Sequence, residues 1–139
     1  MAGLLLYYIT DRSQFSDDEA SRREQLLQRA ASAADAGVDY IQLREKDLSG
    51  RELESLAGDL AQRLRGTSAK LLINSRVDVA VAVGAHGVHL PSGDISPKEA
   101  RRVFRHAGIA APVIGVSCHS LEEIRSAKGD GADFVVFGP

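Results

Sequence analysis

Ala36-Gly37-Val38-Asp39-Tyr40-Ile41, Gly84-Ala85-His86-Gly87-Val88-His89 and Gly131-Ala132-Asp133-Phe134-Val135-Val136 are three versions of one device, a small-residue turn that runs straight into a short apolar strand. Gly37, Gly84 and Gly131 stand 47 residues apart each time. That interval is twice the length of a compact strand-plus-helix unit, so the repeat implies a βα architecture. Folds of this kind place their chemistry at the C-terminal ends of the strands. Gln42, Arg44, Asn74, His89, Ser117 and His119 are the polar residues at those addresses.

Working outward, short β-rich runs recur at 4–10, 40–44, 71–74, 87–90, 113–117 and 134–138. Helical patterns separate them. From Glu24 to Ala36, Leu26, Leu27, Ala30, Ala31 and Ala34 fall on one face. Ser49 with Glu52 three residues later predicts a capping box, and Leu53, Leu56, Leu60 and Leu64 form the stripe behind it. Val77 to Val83 reads as a short helix. Ser96-Pro97 opens another with proline at the first helical position, and Ser120 caps Leu121 to Lys128 with Glu123 at the box position. Strict alternation implies parallel strands joined by right-handed crossovers.

Strand parity then sorts the side chains. Gln42 and Arg44 share one face, Ile41 and Leu43 the other; Gly115, Ser117 and His119 share one face, opposite Ile114 and Val116. In a sheet closed into a barrel the outer face packs on helices, and polar residues late on the inner face line the mouth. The reading is therefore a (β/α)8 barrel seen through about six strands. Residues 1–139 form a single domain, incomplete at its C-terminus. Eight units at this spacing need roughly fifty more residues, and six strands alone leave two edges unpaired.

Composition narrows the class. The 139 residues are 44% hydrophobic and 26% charged, with a net charge of −2. No global field draws nucleic acid or an anionic membrane, so any anion site is local. The lone cysteine, Cys118, has no internal disulfide partner, and a cytoplasmic setting is the expectation.

Arg44 and Lys46 beside Gln42 suit a phosphate group; the competing reading pairs them with Glu45 and Asp47 as a solvated charge run. Asn74 and Ser75 can face a ligand or cap the helix at Val77. Asp94 is a single-carboxylate Mg2+ candidate or a turn residue beside Gly93. His119 can carry a proton near neutral pH, or serve only as a loop residue beside the Ser120 cap. His89 is a candidate second polar wall. Cys118 falls on the outward parity and reads as a packed hydrophobe.

Tyr8-Ile9-Thr10-Asp11-Arg12, Ile41-Gln42-Leu43-Arg44-Glu45-Lys46-Asp47, Asn74-Ser75-Arg76-Val77-Asp78-Val79-Ala80, Gly87-Val88-His89-Leu90, Gly115-Val116-Ser117-Cys118-His119-Ser120, Gly131-Ala132-Asp133 and Gly138-Pro139 together resemble the thiamine phosphate synthase/TenI family. The resemblance implies a TIM (β/α)8 barrel of roughly two hundred residues. It also implies two activities. A synthase joins a pyrimidine diphosphate to a thiazole phosphate with Mg2+ and releases pyrophosphate; in its pattern Gln42, Arg44 and Lys46 bind the diphosphate. A TenI-type protein is a thiazole tautomerase that needs no cofactor, and there His119 is the acid/base.

The synthase pattern has an Asn-Asp pair where this chain has Asn74-Ser75, and Gly-Gln-Glu-Asp after the strand where this chain reads His89-Leu90-Pro91-Ser92-Gly93-Asp94, a loop that looks like TenI while Asp94 remains at the second metal position. The loss of a carboxylate makes the tautomerase the leading expectation. His119 is then catalytic, and Gln42, Arg44, Lys46, Asn74 and Ser117 hold the phosphorylated thiazole. The synthase is the alternative, with Asp94 as its metal ligand. A non-catalytic thiazole- or thiamine-phosphate-binding protein is the third reading. The expected partners are small phosphorylated molecules and a second copy in a homodimer, with no nucleic acid and no membrane.

Overall fold

The computed structural model describes residues 3–16 and 18–139. Six strands, β1 (Tyr7–Ile9), β2 (Tyr40–Leu43), β3 (Lys70–Asn74), β4 (Gly87–Leu90), β5 (Val113–Cys118) and β6 (Phe134–Phe137), alternate with five α-helices. These are α1 (Glu19–Asp35), α2 (Gly50–Arg63), α3 (Val77–Val83), α4 (Pro97–His106) and α5 (Leu121–Gly129); a 3-10 turn at Arg12–Gln14 follows β1. All neighbouring strands are parallel and lie in the order β1-β2-β3-β4-β5-β6.

The three repeat glycines explain themselves here. Gly37, Gly84 and Gly131 have φ of +102°, +70° and +88°, a region that costs a residue with a Cβ, and each turns the chain from a helix toward the next strand. Ser49, Ser96 and Ser120 each accept the backbone N–H three residues on, and Ser49 closes its box with Glu52. Ser120 does not close one: the Glu123 carboxylate goes to Ser92 and to the His119 N–H instead.

The outer face of the sheet is dry. Ile41, Leu43, Leu71, Ile73, Val88, Leu90, Ile114 and Val116 pack against Leu26, Leu27, Leu53, Leu56, Leu60 and Phe104 of the helices. Each fully buried side chain of this size adds on the order of 1.5–3 kcal/mol. Cys118 lies in this layer, fully buried, as its parity predicts.

The inner face is aromatic. The Phe134 ring stacks on Tyr40 at 5.5 Å and meets Tyr7 edge-on at 5.4 Å. In a flat sheet β6 would lie about 24 Å from β1, five strand spacings away. Ring contact across that span means the sheet is strongly curled. The architecture is that of a TIM barrel through its sixth strand. Gly115 makes the curl possible, because a Cβ there would come within 2.4 Å of the Phe134 ring.

Two expectations about element bounds are corrected. Leu4, Leu5 and Leu6 are not strand: the β1–β2 register begins at Tyr7 opposite Tyr40, Leu6 meets the start of β2 only as its carbonyl accepts the Asp39 and Tyr40 N–H groups and its own N–H goes to the Asp39 carboxylate, and all three leucines are exposed. The first helix begins at Glu19, capped by Asp18, rather than at Glu24.

Candidate active site at the strand C-termini

The inner ends of β2, β3, β4 and β5 frame a cleft of about 320 Å³. Gln42, Arg44, Lys46, Asn74, Ser117 and His119 all line it, together with His89. Strand parity predicts Gln42, Arg44, Ser117 and His119 at one mouth, and they line it here, joined by Lys46, Asn74 and His89.

Arg44 and Lys46 are oriented by a network that lies behind them. Thr10 Oγ1 accepts the Arg44 N–H at 3.0 Å and donates to Glu45 Oε2 at 2.7 Å. The other Glu45 oxygen accepts from the Arg12 backbone N–H and guanidinium, both at 3.0 Å. Asp47 takes Arg12 through two bonds of 2.8 Å, and Glu19 takes its Nε. Arg12 and Glu45 are buried, which makes this a structural ion cluster. The bonds from Asp47 hold the Arg12 guanidinium well above its ordinary range, and Arg12 in return depresses the Asp47 carboxyl. The solvated-run reading of residues 44–47 is therefore corrected. Both acids of the run belong to Arg12, and among the described residues Arg44 and Lys46 have no ion pair.

The floor of the cleft is a polar row. Gln42, 2% exposed, donates from Nε2 to Tyr7 Oη at 2.9 Å. Tyr7 Oη is 2.8 Å from His89 Nδ1, and His89 Nε2 is 2.8 Å from Ser117 Oγ. Burial, and secondarily the Arg44 charge, push the His89 imidazole down to about 4, so it is neutral at pH 7. Burial raises the Tyr7 phenol far above its ordinary value. Gln42 Oε1 is buried without a partner.

Asn74 and Ser75 do not cap α3, whose cap position is Arg76 and lacks a side-chain bond. Ser75 instead sits in the left-handed region, φ +66°, and its hydroxyl donates to Asp94 Oδ2 at 2.5 Å. The second Asp94 oxygen accepts the Ile95 N–H, so Asp94 also serves its turn. A hollow of about 280 Å³, lined by Lys46, Asn74, Ser75 and Arg76, adjoins the main cleft. Among the described residues no three His, Cys, Asp or Glu side chains converge as a metal site. One carboxylate beside a hydroxyl still fits Mg2+, which commonly takes one or two carboxylates and completes its shell with substrate oxygens and water.

His119 Nδ1 lies 3.1 Å from the Gly138 carbonyl. A carbonyl only accepts, so Nδ1 carries the proton and a neutral His119 offers Nε2 as a base. Glu123 holds the loop from the other side through the His119 N–H and the Ser92 hydroxyl. Sequence reading missed Tyr7, Arg12 and Glu123. Tyr7 and Arg12 find their partners across the fold, and only the Thr10-Asp11-Arg12 run hinted at Arg12; Glu123 reads as a box residue in sequence but bonds Ser92 and the His119 N–H instead.

The comparisons agree with this geometry. The family model described as thiamine monophosphate synthase matches residues 6–139. The chain is 39% identical over 136 residues to the thiamine-phosphate synthase of Azorhizobium caulinodans, covering 98% of this chain and 59% of that protein. It is 40% identical over 109 residues to that of Chlorobium phaeobacteroides, covering 78% and 51%. A thiamine phosphate pyrophosphorylase from Pyrococcus furiosus superposes with a TM-score of 0.79 at 32% identity, over 98% of this chain and 60% of that one. The chain spans about three-fifths of the length of the curated relatives it matches. Among the described residues no helix is long and apolar enough to cross a membrane. With the curled parallel sheet, the cleft and these matches in agreement, the chain belongs to the thiamine monophosphate synthase (TMP-TENI) family.

Proposed function

We propose that the gene product carrying this chain is a thiamine-phosphate synthase, joining a pyrimidine diphosphate to a thiazole phosphate with release of pyrophosphate. The observation that carries this reading is the freedom of Arg44 and Lys46. Glu45 and Asp47 are committed to Arg12, so two cations face a cleft with Gln42, Asn74 and Ser117 and await an anion. A tautomerase acting on one phosphate has less need of two unpaired cations. The relatives' names favour the same side.

In this mechanism Arg44 grips phosphate oxygens through paired donors and Lys46 adds a point charge. Both take up charge as the diphosphate leaves, which lowers the barrier because that charge grows toward the transition state. Asn74 and Ser117 orient the ligand. Asp94 and the Ser75 hydroxyl would hold Mg2+, which supplies further neutralisation of the departing pyrophosphate. The tautomerase is the second reading. It is favoured by Ser75 in place of a carboxylate and by the free Nε2 of His119, which is placed to move a proton.

The test is Mg2+-dependent pyrophosphate release from the two substrates, with Arg44→Ala alongside. The reading expects release, and expects Arg44→Ala to weaken diphosphate binding by about 1.5–3 kcal/mol, the scale of a hydrogen bond to a charged group. Metal-independent thiazole isomerisation, lost in His119→Ala, with no pyrophosphate released, would establish the second reading instead. Ligand binding with neither turnover would establish a binding protein.

A further inference from the structure

Four strands each contribute one side chain to the row Gln42, Tyr7, His89 and Ser117, and every link is a hydrogen bond of 2.8–2.9 Å. Each link needs one donor, and a phenol and a neutral imidazole have one proton each. The row therefore runs in one of two directions, unless Tyr7 Oη accepts at both of its links and leaves its own buried proton without a partner, which costs the bond that proton would make. With the Gln42 amide as oriented, Nε2 donates to Tyr7 Oη. The Tyr7 proton then goes to His89 Nδ1. His89 carries its own proton on Nε2 and gives it to Ser117 Oγ, and the Ser117 proton is left for the cleft. In the reverse direction the Ser117 proton is consumed by His89, and its oxygen faces the cleft as an acceptor.

We infer that Tyr7 and His89 are positioning residues that fix the direction of this row and so hold the Ser117 hydroxyl as a donor to an anionic oxygen of the ligand. This rests on the proposal that the cleft takes a phosphorylated ligand. Arg44 and Lys46 line the same cleft as Ser117, so a donor there adds to their attraction for an anion, while an acceptor would oppose it. Burial of His89 at 3% exposure keeps water from supplying an alternative partner. A neutral imidazole is required for the relay, and burial favours that form. Tyr7 is itself locked by Phe134 and Tyr40 against its ring, so its hydroxyl has little freedom to turn away.

The test is nitrogen NMR of the histidine side chains in the ligand-free gene product at pH 7, followed by calorimetric binding of inorganic diphosphate. The expected tautomer of His89 is protonated on Nε2, and Tyr7→Phe moves a substantial fraction to Nδ1, because that nitrogen has lost its donor. Tyr7→Phe and Ser117→Ala each weaken diphosphate binding about tenfold, and the double variant is no weaker than either single one, since both act through one proton. A His89 protonated on Nδ1 in the parent protein, an unchanged tautomer in Tyr7→Phe, or single effects that multiply to about a hundredfold would each overturn the inference. Should Tyr7→Phe fail to fold, His89→Gln and His89→Leu decide. The glutamine keeps a donor toward Ser117 and binds within about threefold of the parent, the leucine about tenfold worse; equal affinities would overturn the inference. A parent protein that binds no diphosphate would count against the proposed function, while the tautomer, read without ligand, still decides the direction of the row.

Discussion

Acidification should destabilise this protein through His89 before its carboxylates protonate. The imidazole is held down at about 4 in the folded state, against 6.5 for the free side chain, by burial first and the Arg44 charge second. Its other neighbours are uncharged: the Tyr7 phenol on β1, Ser117 on β5 and the Phe134 ring on β6 at 5.9 Å. A depressed pKa on a base means that the unfolded chain binds the extra proton first. Stability is therefore complete above pH 6.5 and falls as the pH drops from 6.5 toward 4. Integrating one proton over that window gives a loss of about 3 kcal/mol at pH 4. The assay is urea unfolding from pH 7.5 to 4.5, with His89→Gln as the non-titrating reference. The parent should lose stability with a slope approaching about 1.4 kcal/mol per pH unit near pH 5, in excess of the variant's slope. Identical slopes in the two proteins, or an NMR midpoint for His89 near 6.5, would show that His89 is not the group that destabilises the fold in acid.

Arg12→Met should cost about 3–5 kcal/mol of unfolding free energy, since it strands the buried Glu45 carboxylate without its cation. A loss under about 1 kcal/mol by urea titration would mean that the cluster is not structural. Gly115→Ala should lower stability by about 1–3 kcal/mol by driving a methyl into the Phe134 ring, and Phe134→Leu in the same background should recover part of the loss; thermal unfolding of the three proteins checks both. Ser75→Asp should fold, because the left-handed backbone at this position suits aspartate, and should tighten Mg2+ about tenfold by setting a second carboxylate beside Asp94. An unaltered calorimetric titration would remove Ser75 and Asp94 from any metal site.

The fold was largely legible because its signals are local. A glycine in a positive-φ turn and a serine three residues ahead of the N–H it accepts each act within a few residues, and each appears where the sequence places it. Parity carried the argument further, from Gln42 and Ser117 to the shared cleft, because alternation along a strand is fixed geometry. What the sequence concealed depends on contacts between distant residues. Glu45 lies between two cations in sequence, yet successive residues point apart, and its partner is Arg12, 33 positions away. Tyr7 reads as one more apolar strand residue until the curl of the sheet brings it to His89, 82 positions on. Leu4 and Leu5 look like strand by composition but lie ahead of the β1–β2 register, which begins at Tyr7 opposite Tyr40.

We propose that Arg44 and Lys46, without an ion pair among the described residues, serve a diphosphate leaving group. The most direct measurement gives the full gene product the hydroxymethylpyrimidine diphosphate, thiazole phosphate and Mg2+, and follows thiamine phosphate by its oxidation to fluorescent thiochrome. Sustained product formation that collapses in Arg44→Ala is the expected result. Protein that binds the thiazole phosphate yet makes no thiamine phosphate would contradict it and return the site to proton transfer at His119.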